Sequence, residues 1–246
     1  MKSKNNTDLM IFAHRGASHI LPENTVPAFK KAIRLGANGL ELDVHLTKDG
    51  YPVVIHDEKL NRTTNGKGLV KNHTLKEIRG LSAGAWFHER YSHYKIPTLE
   101  EIFIKASGFP ILLNIEMKNV FIRYDDMEKK IIRLIHKYSL QDRVILSSFN
   151  PESLKLVSKL DKKVATGFLY FGKLDDPWAM ALEIGAHTIH PPIDSLTREF
   201  VKKSHAYGFL VCPYHVNRWR QINLALDCQV DGMITMYPER VRNFVE

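Results

Sequence analysis

Eight short apolar runs recur along the 246-residue chain, and amphipathic segments separate most of them. The runs cover residues 9–13, 40–44, 111–116, 144–148, 165–170, 187–190, 209–213 and 232–235. Between the third and fourth runs, residues 125–138 place apolar side chains on one helical face. After the fourth run, Asn150-Pro151 has the form of a helix N-cap followed by proline. Strands that alternate with helices in this way predict a parallel sheet.

Eight parallel strands are the number that closes a (β/α)8 barrel, and 246 residues are enough for one such domain. An open doubly wound sheet is the alternative, but no glycine-rich phosphate loop follows any of the runs, as it often does in that class. We therefore predict an α/β fold, a TIM-like (β/α)8 barrel, in which residues 1–246 form a single catalytic domain.

A ninth apolar run, residues 53–56, follows the second one closely. Asp49-Gly50 between them predicts a hairpin with a two-residue loop, and such a loop can only return antiparallel, so the ninth strand is an addition to the barrel. In that register Asp43 lies opposite His56. Glu41 is on the same face as Asp43 because side chains alternate along a strand.

The segment of residues 57–97 is rich in Gly, Asn, Thr and aromatic side chains. We predict that it takes the place of one barrel helix and forms an inserted cap segment after the second strand, beside the hairpin. No internal repeat, low-complexity tract or linker indicates a second autonomous domain.

The charge of the chain is +8, from 35 Lys and Arg against 27 Asp and Glu, and it favours anionic partners such as phosphate compounds, acidic membranes or nucleic acid. The basic residues occur in scattered pairs such as Lys129-Lys130, mostly on predicted helices, which is typical of a solvated outer surface. We therefore expect no nucleic-acid partner. A homo-oligomer is left open.

Two features bear on the cellular compartment. Cys212 and Cys228, the two cysteines, have neither the spacing of a disulfide framework nor that of a cysteine metal site. Residues 1–8 are polar, and the five apolar residues after them are too few for a signal sequence or a membrane span. We expect a cytoplasmic protein without a stable membrane anchor.

Ionisable side chains stand at the carboxyl ends of the first three runs, and these ends meet at the mouth of a parallel barrel. The second run carries Glu41 and Asp43, and the third ends in Glu116 with Lys118 two residues later. Either pair alone is compatible with an ordinary ion-paired strand end. Three carboxylates at one mouth, without cysteine, instead favour a hard divalent cation, Mg²⁺ or Ca²⁺, over zinc.

The first run ends in His14-Arg15-Gly16. A lone histidine after a strand is often a satisfied core residue, but the neighbouring arginine has a fork of donors that suits phosphate oxygens. With Lys118 and a cation nearby, the mouth is suited to an anionic phosphoryl group. Two histidines beside that group, His14 and His56, indicate paired acid and base catalysis.

These residues resemble those of the glycerophosphodiester phosphodiesterase family. The resemblance covers nearly the whole chain, in the family's order, through His14-Arg15-Gly16, Glu23-Asn24-Thr25, Glu41-Leu42-Asp43, His56-Asp57, Arg62-Thr63-Thr64-Asn65-Gly66, Pro97-Thr98-Leu99-Glu100 and Glu116-Met117-Lys118. It implies a TIM-like barrel with a segment inserted after the second strand. It also implies metal ligands Glu41, Asp43 and Glu116, the acid/base pair His14 and His56, and phosphate contacts Arg15 and Lys118.

The reaction that the resemblance implies is cleavage of a glycerophosphodiester, a small-molecule substrate, to glycerol 3-phosphate and an alcohol. Which histidine is the acid, and whether a cyclic phosphate forms, are left open. One alternative is a related phosphodiesterase that acts on lysophospholipid or phosphoinositide, which an apolar ridge at the barrel mouth would support. The other is a non-catalytic protein that binds phosphate or nucleic acid; the presence of every proposed chemical group argues against it.

Further positions have a weaker signal. Glu23-Asn24-Thr25 precedes a predicted helix, so Asn24 or Thr25 is explained by helix capping, while the resemblance implies a substrate-binding role for Glu23 at the rim. Phe149 is a candidate substrate wall. Two segments depart from the family pattern: Tyr214-His215-Val216-Asn217 stands where many members have Trp-Thr-Val-Asn, and Thr235-Met236-Tyr237-Pro238 where many have Thr-Asp-Tyr-Pro. Tyr214 is a candidate substrate contact, and we expect His45, among Thr and Lys neighbours, to be solvated.

Overall fold

The computed structural model describes residues 9–245, so the prediction about residues 1–8 lies outside the described residues. Its strands are β1 (Met10–His14), β2 (Gly39–Leu46), β3 (Pro52–Val54), β4 (Leu112–Met117), β5 (Val144–Ser148), β6 (Ala165–Leu169), β7 (Thr188–His190), β8 (Leu210–Val211) and β9 (Gly232–Thr235). Its α-helices are α1 (Val26–Arg34), α2 (Leu75–Gly80), α3 (Leu99–Ala106), α4 (Met127–Lys137), α5 (Pro151–Leu160), α6 (Pro177–Ile184), α7 (Arg198–Ala206), α8 (Trp219–Asp227) and α9 (Pro238–Val245). None of the helices in residues 9–245 is long and apolar enough to cross a membrane.

Eight of the strands run parallel in the order β8-β7-β6-β5-β4-β2-β1-β9. The two ends of this order meet through the loop after β8: the N–H of Ile234 donates to the carbonyl of Pro213 at 3.0 Å, and the N–H of Val216 donates to that of Ile234 at 2.8 Å. Because β8 is only two residues long, single bridges replace a full ladder here. The result is a nearly closed parallel barrel, which confirms the predicted α/β class and the (β/α)8 architecture.

The eight predicted runs correspond to the eight barrel strands, with ends that differ by a few residues. The predicted N-cap is also confirmed. The side chain of Asn150 accepts the N–H groups of Glu152 and Ser153, and Pro151 is the first residue of α5. Proline suits this position because its fixed φ matches the helix and no N–H is needed there.

The β3 strand returns antiparallel to β2 as predicted, but the predicted two-residue loop is wrong. His45 pairs with Val53, and the N–H of Ile55 donates to the carbonyl of Asp43 at 3.0 Å. The loop therefore contains three residues, 48–50, and Asp43 lies opposite Ile55 instead of His56. A register shift of one residue has moved every expected partner.

Side-chain hydrogen bonds stabilise the longer loop. The hydroxyl of Thr47 donates to Asp49 Oδ1 at 2.6 Å and accepts the N–H of Tyr51 at 2.9 Å. Asp49 also accepts the N–H of Leu75 from the inserted segment at 2.9 Å. Gly50 has a φ of +81°, which glycine adopts without steric cost at the last position of a three-residue hairpin loop.

The inserted segment lies between β3 and α3. Its apolar side chains form a second cluster with the hairpin, made of Val53, Ile55, Leu60, Val70, Ile78, Ala83 and Ile96. The expectation that this segment replaces a barrel helix is wrong, because α3 still precedes β4 and begins with a capping box of Thr98 and Glu101. Arg79 of the segment bonds Glu101 with both terminal nitrogens, at 2.9 and 2.8 Å, and so joins the insertion to α3.

Inside the barrel, a small apolar cluster of Phe12, Ile145, Cys212 and Ile234 fills the space below the mouth. Phe12 on β1 pairs with Gly39 on β2, and a Cβ at Gly39 would lie 2.7 Å from Cε1 of the Phe12 ring. The glycine therefore makes room for a fully buried aromatic side chain. Alternation of large and small interior residues is how small barrels fill their centres.

We expect Gly39→Ala to lower the free energy of unfolding by about 1–3 kcal/mol, because an added methyl group overpacks the site beside Phe12. The matched control is Gly80→Ala at the end of α2, where nothing lies within 4 Å of the added Cβ. Urea unfolding at pH 7 measures both. Equal stability of the two variants would contradict this account of the barrel interior.

Candidate active site

Three carboxylates converge at the mouth because β2 and β4 are parallel neighbours. Their register pairs Asp43 with Glu116, and Glu41 lies two residues before Asp43 on the same face. One oxygen from each of the three side chains lies within 4.8 Å of the others. Glu41 and Asp43 are buried, and Glu116 is partly buried. The predicted convergence of these side chains is therefore present in the structure.

The charges in this cluster are unbalanced. Burial, followed by repulsion from Asp43 and Glu116, raises the pKa of Glu41 well above its usual value. Burial also raises the pKa of Glu116. For Asp43 burial alone would do the same, but Arg15 and Lys118 outweigh it and hold the pKa well below its usual value. Three oxygen donors with too little positive charge around them suit a hard divalent cation.

Arg15 follows β1 in a left-handed conformation, with φ +57°. Its backbone N–H donates to Glu41 Oε2 at 3.0 Å, and its Nε lies 3.2 Å from Asp43 Oδ2. Gly16, with φ +83°, completes the turn; a Cβ there would lie 2.7 Å from the carbonyl carbon of Ala28. This tight turn aims the guanidinium at the carboxylates.

Lys118 extends from the end of β4 into the same cluster. Its Nζ lies 2.6 Å from Glu116 Oε1 and 3.7 Å from Asp43 Oδ1. These two carboxylates raise the pKa of Lys118 although burial opposes the shift. The side chain is therefore positively charged at neutral pH.

His14, the last residue of β1, is 9% exposed and lies beside Glu41. Its Nε2 is 3.9 Å from Glu41 Oε2 and 3.0 Å from Nε2 of His215. Burial, together with the positive charge of Arg15, lowers the pKa of His14 well below its usual value. The imidazole is therefore neutral at pH 7, and a neutral imidazole can accept a proton.

His56 reaches the cavity from the residues just after β3. Its Nδ1 lies 2.7 Å from Asp57 Oδ1, so the carboxylate orients the ring and leaves Nε2 available. Arg62 bonds both oxygens of Asp57 at 2.8 Å. These hydrogen bonds lower the pKa of Asp57 to about 2, so its carboxylate is charged at neutral pH.

The expectation that His45 is solvated is wrong. Its side chain is fully buried on β2, its Nε2 bonds the carbonyl of His56 at 3.0 Å, and its Nδ1 bonds the hydroxyl of Tyr124 at 2.8 Å. Burial lowers its pKa to about 4, so the ring is neutral and its Nε2–H donates to the carbonyl. His45 thus holds the backbone of His56 in place.

The cluster borders a cavity of about 330 Å³. Eight of the predicted site residues line it: His14, Arg15, Glu41, His56, Glu116, Lys118, Phe149 and Tyr214. Asp43 lies beneath this lining, fully buried. Glu23 is not part of the lining; it bonds Arg15 at 3.0 Å and Arg62 at 2.8 Å. The helix cap predicted nearby is provided by Thr25, which accepts the N–H of Ala28.

One wall of the cavity is apolar. Phe149 and Phe171 stack with ring centroids 4.0 Å apart, and the edge of Tyr214 meets Phe149 at 6.0 Å. Phe171 is 67% exposed and Phe121 is 82% exposed, and both line the cavity. Large aromatic side chains in such exposed positions mark a surface suited to an apolar ligand.

Three residues were not singled out from the sequence as contributors to the site. Asn24 is buried with φ +56°, and its Nδ2 donates to Asp43 Oδ2 at 2.8 Å. Arg62 connects Asp57 with Glu23, and His215 contacts His14. Asn24 and Arg62 belong to motifs of the resemblance, and this membership was the feature of the sequence that pointed to them. His215 was marked only by its departure from the family pattern.

The family model of the glycerophosphoryl diester phosphodiesterase family matches residues 14–240. A glycerophosphodiester phosphodiesterase of Caldanaerobacter subterraneus subsp. tengcongensis is 44% identical over 236 residues, which cover 96% of this chain and 97% of that protein. Another, from Bacillus altitudinis, is 42% identical and covers 94% of this chain and 95% of its own length.

Solved structures have the same fold. A putative glycerophosphoryl diester phosphodiesterase from Silicibacter pomeroyi has a TM-score of 0.87 at 24% identity and covers 96% of this chain and 92% of its own. An Oleispira antarctica phosphodiesterase, in complex with the product sn-glycerol-3-phosphate, has a TM-score of 0.85 at 27% identity over 95% of both chains. The chain described here therefore belongs to the glycerophosphoryl diester phosphodiesterase family and is a phosphoric diester hydrolase.

Proposed function

We propose that this enzyme hydrolyses glycerophosphodiesters to sn-glycerol 3-phosphate and an alcohol, with a divalent cation and with His14 and His56 as the acid/base pair. The observation that carries the proposal is that two histidines, two positively charged side chains and two carboxylates line one cavity, with the third carboxylate, Asp43, buried beside them. The product bound to the Oleispira antarctica phosphodiesterase supports the choice of product.

Glu41, Asp43 and Glu116 would hold the cation. Their donor atoms are all carboxylate oxygens, which suit Mg²⁺ or Ca²⁺, and Asp43 Oδ1 is buried without a hydrogen-bond partner among the described residues. When bound, such a cation offsets the negative charge of the phosphoryl oxygens. Burial, followed by repulsion from Asp43 and Glu116, raises the pKa of Glu41, and a bound cation would offset that repulsion.

Arg15 and Lys118 would bind the phosphate from either side of the carboxylates. Both are charged and border the cavity, and each is already held by a carboxylate, Arg15 by Asp43 and Lys118 by Glu116. A side chain held in place loses little conformational freedom when the substrate arrives. The two positive charges attract the anionic substrate and stabilise charge on its oxygens.

The two histidines would move the protons of the reaction. One takes a proton from the attacking hydroxyl, of water or of the glycerol itself, and the other gives a proton to the oxygen of the departing alcohol. His56 is oriented for this role by Asp57, at 2.7 Å. His14 presents its Nε2 to the same cavity and is neutral in the free enzyme.

We expect His14→Ala and His56→Ala each to lower kcat by roughly 10²–10⁴-fold, the usual contribution of a positioned acid or base. Release of glycerol 3-phosphate from several glycerophosphodiesters measures the effect. His93→Ala, at an exposed histidine of the inserted segment, is the matched control and keeps full turnover. Unchanged turnover in both cavity variants would rule out the proposed acid/base pair.

We expect a chelator to abolish product release and added Mg²⁺ or Ca²⁺ to restore it. The added cation should also raise the midpoint temperature of thermal unfolding, because it binds the folded state. Glu41→Gln removes one repelling charge. In chelator this variant should unfold at or above the temperature of the unmodified enzyme, yet show no shift with cation.

The matched control for that experiment is Glu199→Gln, at an exposed glutamate of α7. It should keep both the cation-induced shift and the activity. Isothermal titration of the cation gives a readout that does not depend on turnover. A full cation-induced shift in Glu41→Gln would show that the assigned ligands are wrong.

A second candidate substrate is a lysophospholipid, which the apolar wall of the cavity favours. Phe121 and Phe171 are exposed at the mouth, where an acyl chain of a micellar substrate can contact them. We expect Phe171→Ser to lower kcat/KM for lysophosphatidylcholine micelles at least about tenfold more than for glycerophosphocholine, because burial of an aromatic side chain contributes roughly 1.5–3 kcal/mol.

The matched control is Tyr207→Ser, at a half-exposed aromatic residue after α7 and outside the cavity lining. It should leave the ratio of the two activities unchanged. Equal losses on both substrates in Phe171→Ser would assign the apolar wall to the alcohol group of a soluble substrate instead of to a lipid.

A further inference from the structure

Glu58 lines the active-site cavity but has no part in the proposed reaction. It follows His56 and Asp57 on the segment after β3, and it is partly exposed. Among residues 9–245, no group forms a hydrogen bond or an ion pair with its carboxylate. A carboxylate without a partner, in a cavity that suits an anionic phosphodiester, repels the substrate unless it meets a positively charged group.

The two positively charged side chains of the cavity do not serve as that group. Arg15 lies 3.2 Å from Asp43 and 3.0 Å from Glu23, and Lys118 lies 2.6 Å from Glu116. Each of them therefore has its own carboxylate partner within residues 9–245. The negative charge of Glu58 is left for a ligand.

Glu58 acts on the side of the cavity that the loop after β4 forms. Burial, followed by the negative charge of Glu58, raises the pKa of Tyr124 in that loop. The same loop supplies Val120 and Phe121 to the cavity lining, and the Phe121 ring is largely exposed. A carboxylate and an accessible aromatic ring thus border one cavity.

The backbone around Glu58 is held in place. Its carbonyl accepts the N–H of Val70 at 2.8 Å, and the next residue, Lys59, forms an antiparallel bridge with Leu69. Arg62 bonds both oxygens of the preceding residue, Asp57, at 2.8 Å. A charged side chain on a supported backbone can distinguish ligands by their charge.

A negative charge beside an aromatic ring is suited to an ammonium group. The carboxylate attracts the positive charge, the face of the ring attracts it as well, and the apolar ring surface accommodates N-methyl groups. Arg15 and Lys118 would bind the phosphate of the same substrate. The positive group that Glu58 can meet therefore belongs to the alcohol half of the diester.

We propose that Glu58, together with Phe121, binds a positively charged ammonium group on the alcohol half of the substrate, so that the enzyme prefers diesters of amino alcohols to those of neutral alcohols. The proposal rests on the proposed function, because it concerns the leaving alcohol of that reaction. It makes Glu58 a specificity residue, without a role in proton transfer.

Two diesters of equal shape test the charge itself: glycerophosphocholine and the glycerophosphodiester of 3,3-dimethylbutanol, which has carbon in place of the positively charged nitrogen. We expect kcat/KM of the unmodified enzyme to be roughly 3–10-fold higher for the choline diester, the effect of one ion pair and one aromatic contact at a partly exposed site. Glu58→Gln keeps the shape of the side chain and should remove most of this preference. The change should lie mainly in KM for the choline diester.

The matched control is Glu89→Gln, at an exposed glutamate of the inserted segment outside the cavity lining, which should keep the preference. Glu58→Lys should place the choline diester below the neutral one, because it reverses the charge. Added salt should weaken the preference of the unmodified enzyme more than that of Glu58→Gln. Thermal unfolding checks that each variant is folded.

Equal kcat/KM of the unmodified enzyme for the two diesters would overturn the inference, and so would an undiminished preference in Glu58→Gln. Both results leave the proposed function standing, because glycerol 3-phosphate is still released. Failure of the unmodified enzyme to release glycerol 3-phosphate from either diester would instead overturn the proposed function, and this inference with it.

Discussion

The burial of three carboxylates at one end of a parallel barrel is the constraint on which the site depends. Charged groups that leave water lose several kcal/mol of solvation each, and Glu41, Asp43 and Glu116 also repel one another. Arg15 and Lys118 offset part of this cost. The remaining imbalance is tolerated because the barrel ladder fixes the backbone on both sides, with Asp43 and Glu116 paired in register.

The positive charges are themselves held by further carboxylates, and this extends the site well beyond the cavity. Arg15 bonds Glu23, Glu23 bonds Arg62, and Arg62 bonds Asp57, which orients His56. The alternating charges connect the loop after β1 with the inserted segment and the end of the hairpin. The inserted segment is therefore part of the support of the site, because it supplies Asp57 and Arg62.

The sequence predicted those features that depend on local periodicity and on strand ends, such as the eight barrel strands and the convergence of Glu41, Asp43 and Glu116. It did not predict features that depend on individual side-chain hydrogen bonds, most of which are made with distant residues. Asp49-Gly50 is compatible with loops of two and three residues, and the choice is made by Thr47 and by Leu75 of the insertion. Likewise, His45 is buried against Tyr124, and His215 meets His14 from 201 positions away.

His56 lies at the cavity although the hairpin register differs from the predicted one. Pairing across the strands with Asp43 is therefore not what positions His56. The ladder of β3 ends at Val54, so the side chain of His56 lies beyond the paired residues. Its ring is set by Asp57, and its backbone carbonyl by the buried His45. The ring of His56 is thus oriented by side-chain contacts beyond the strand, whereas the carboxylates are placed by strand register. The barrel fixes where charge accumulates, and the loop after β3 fixes how the His56 ring faces it.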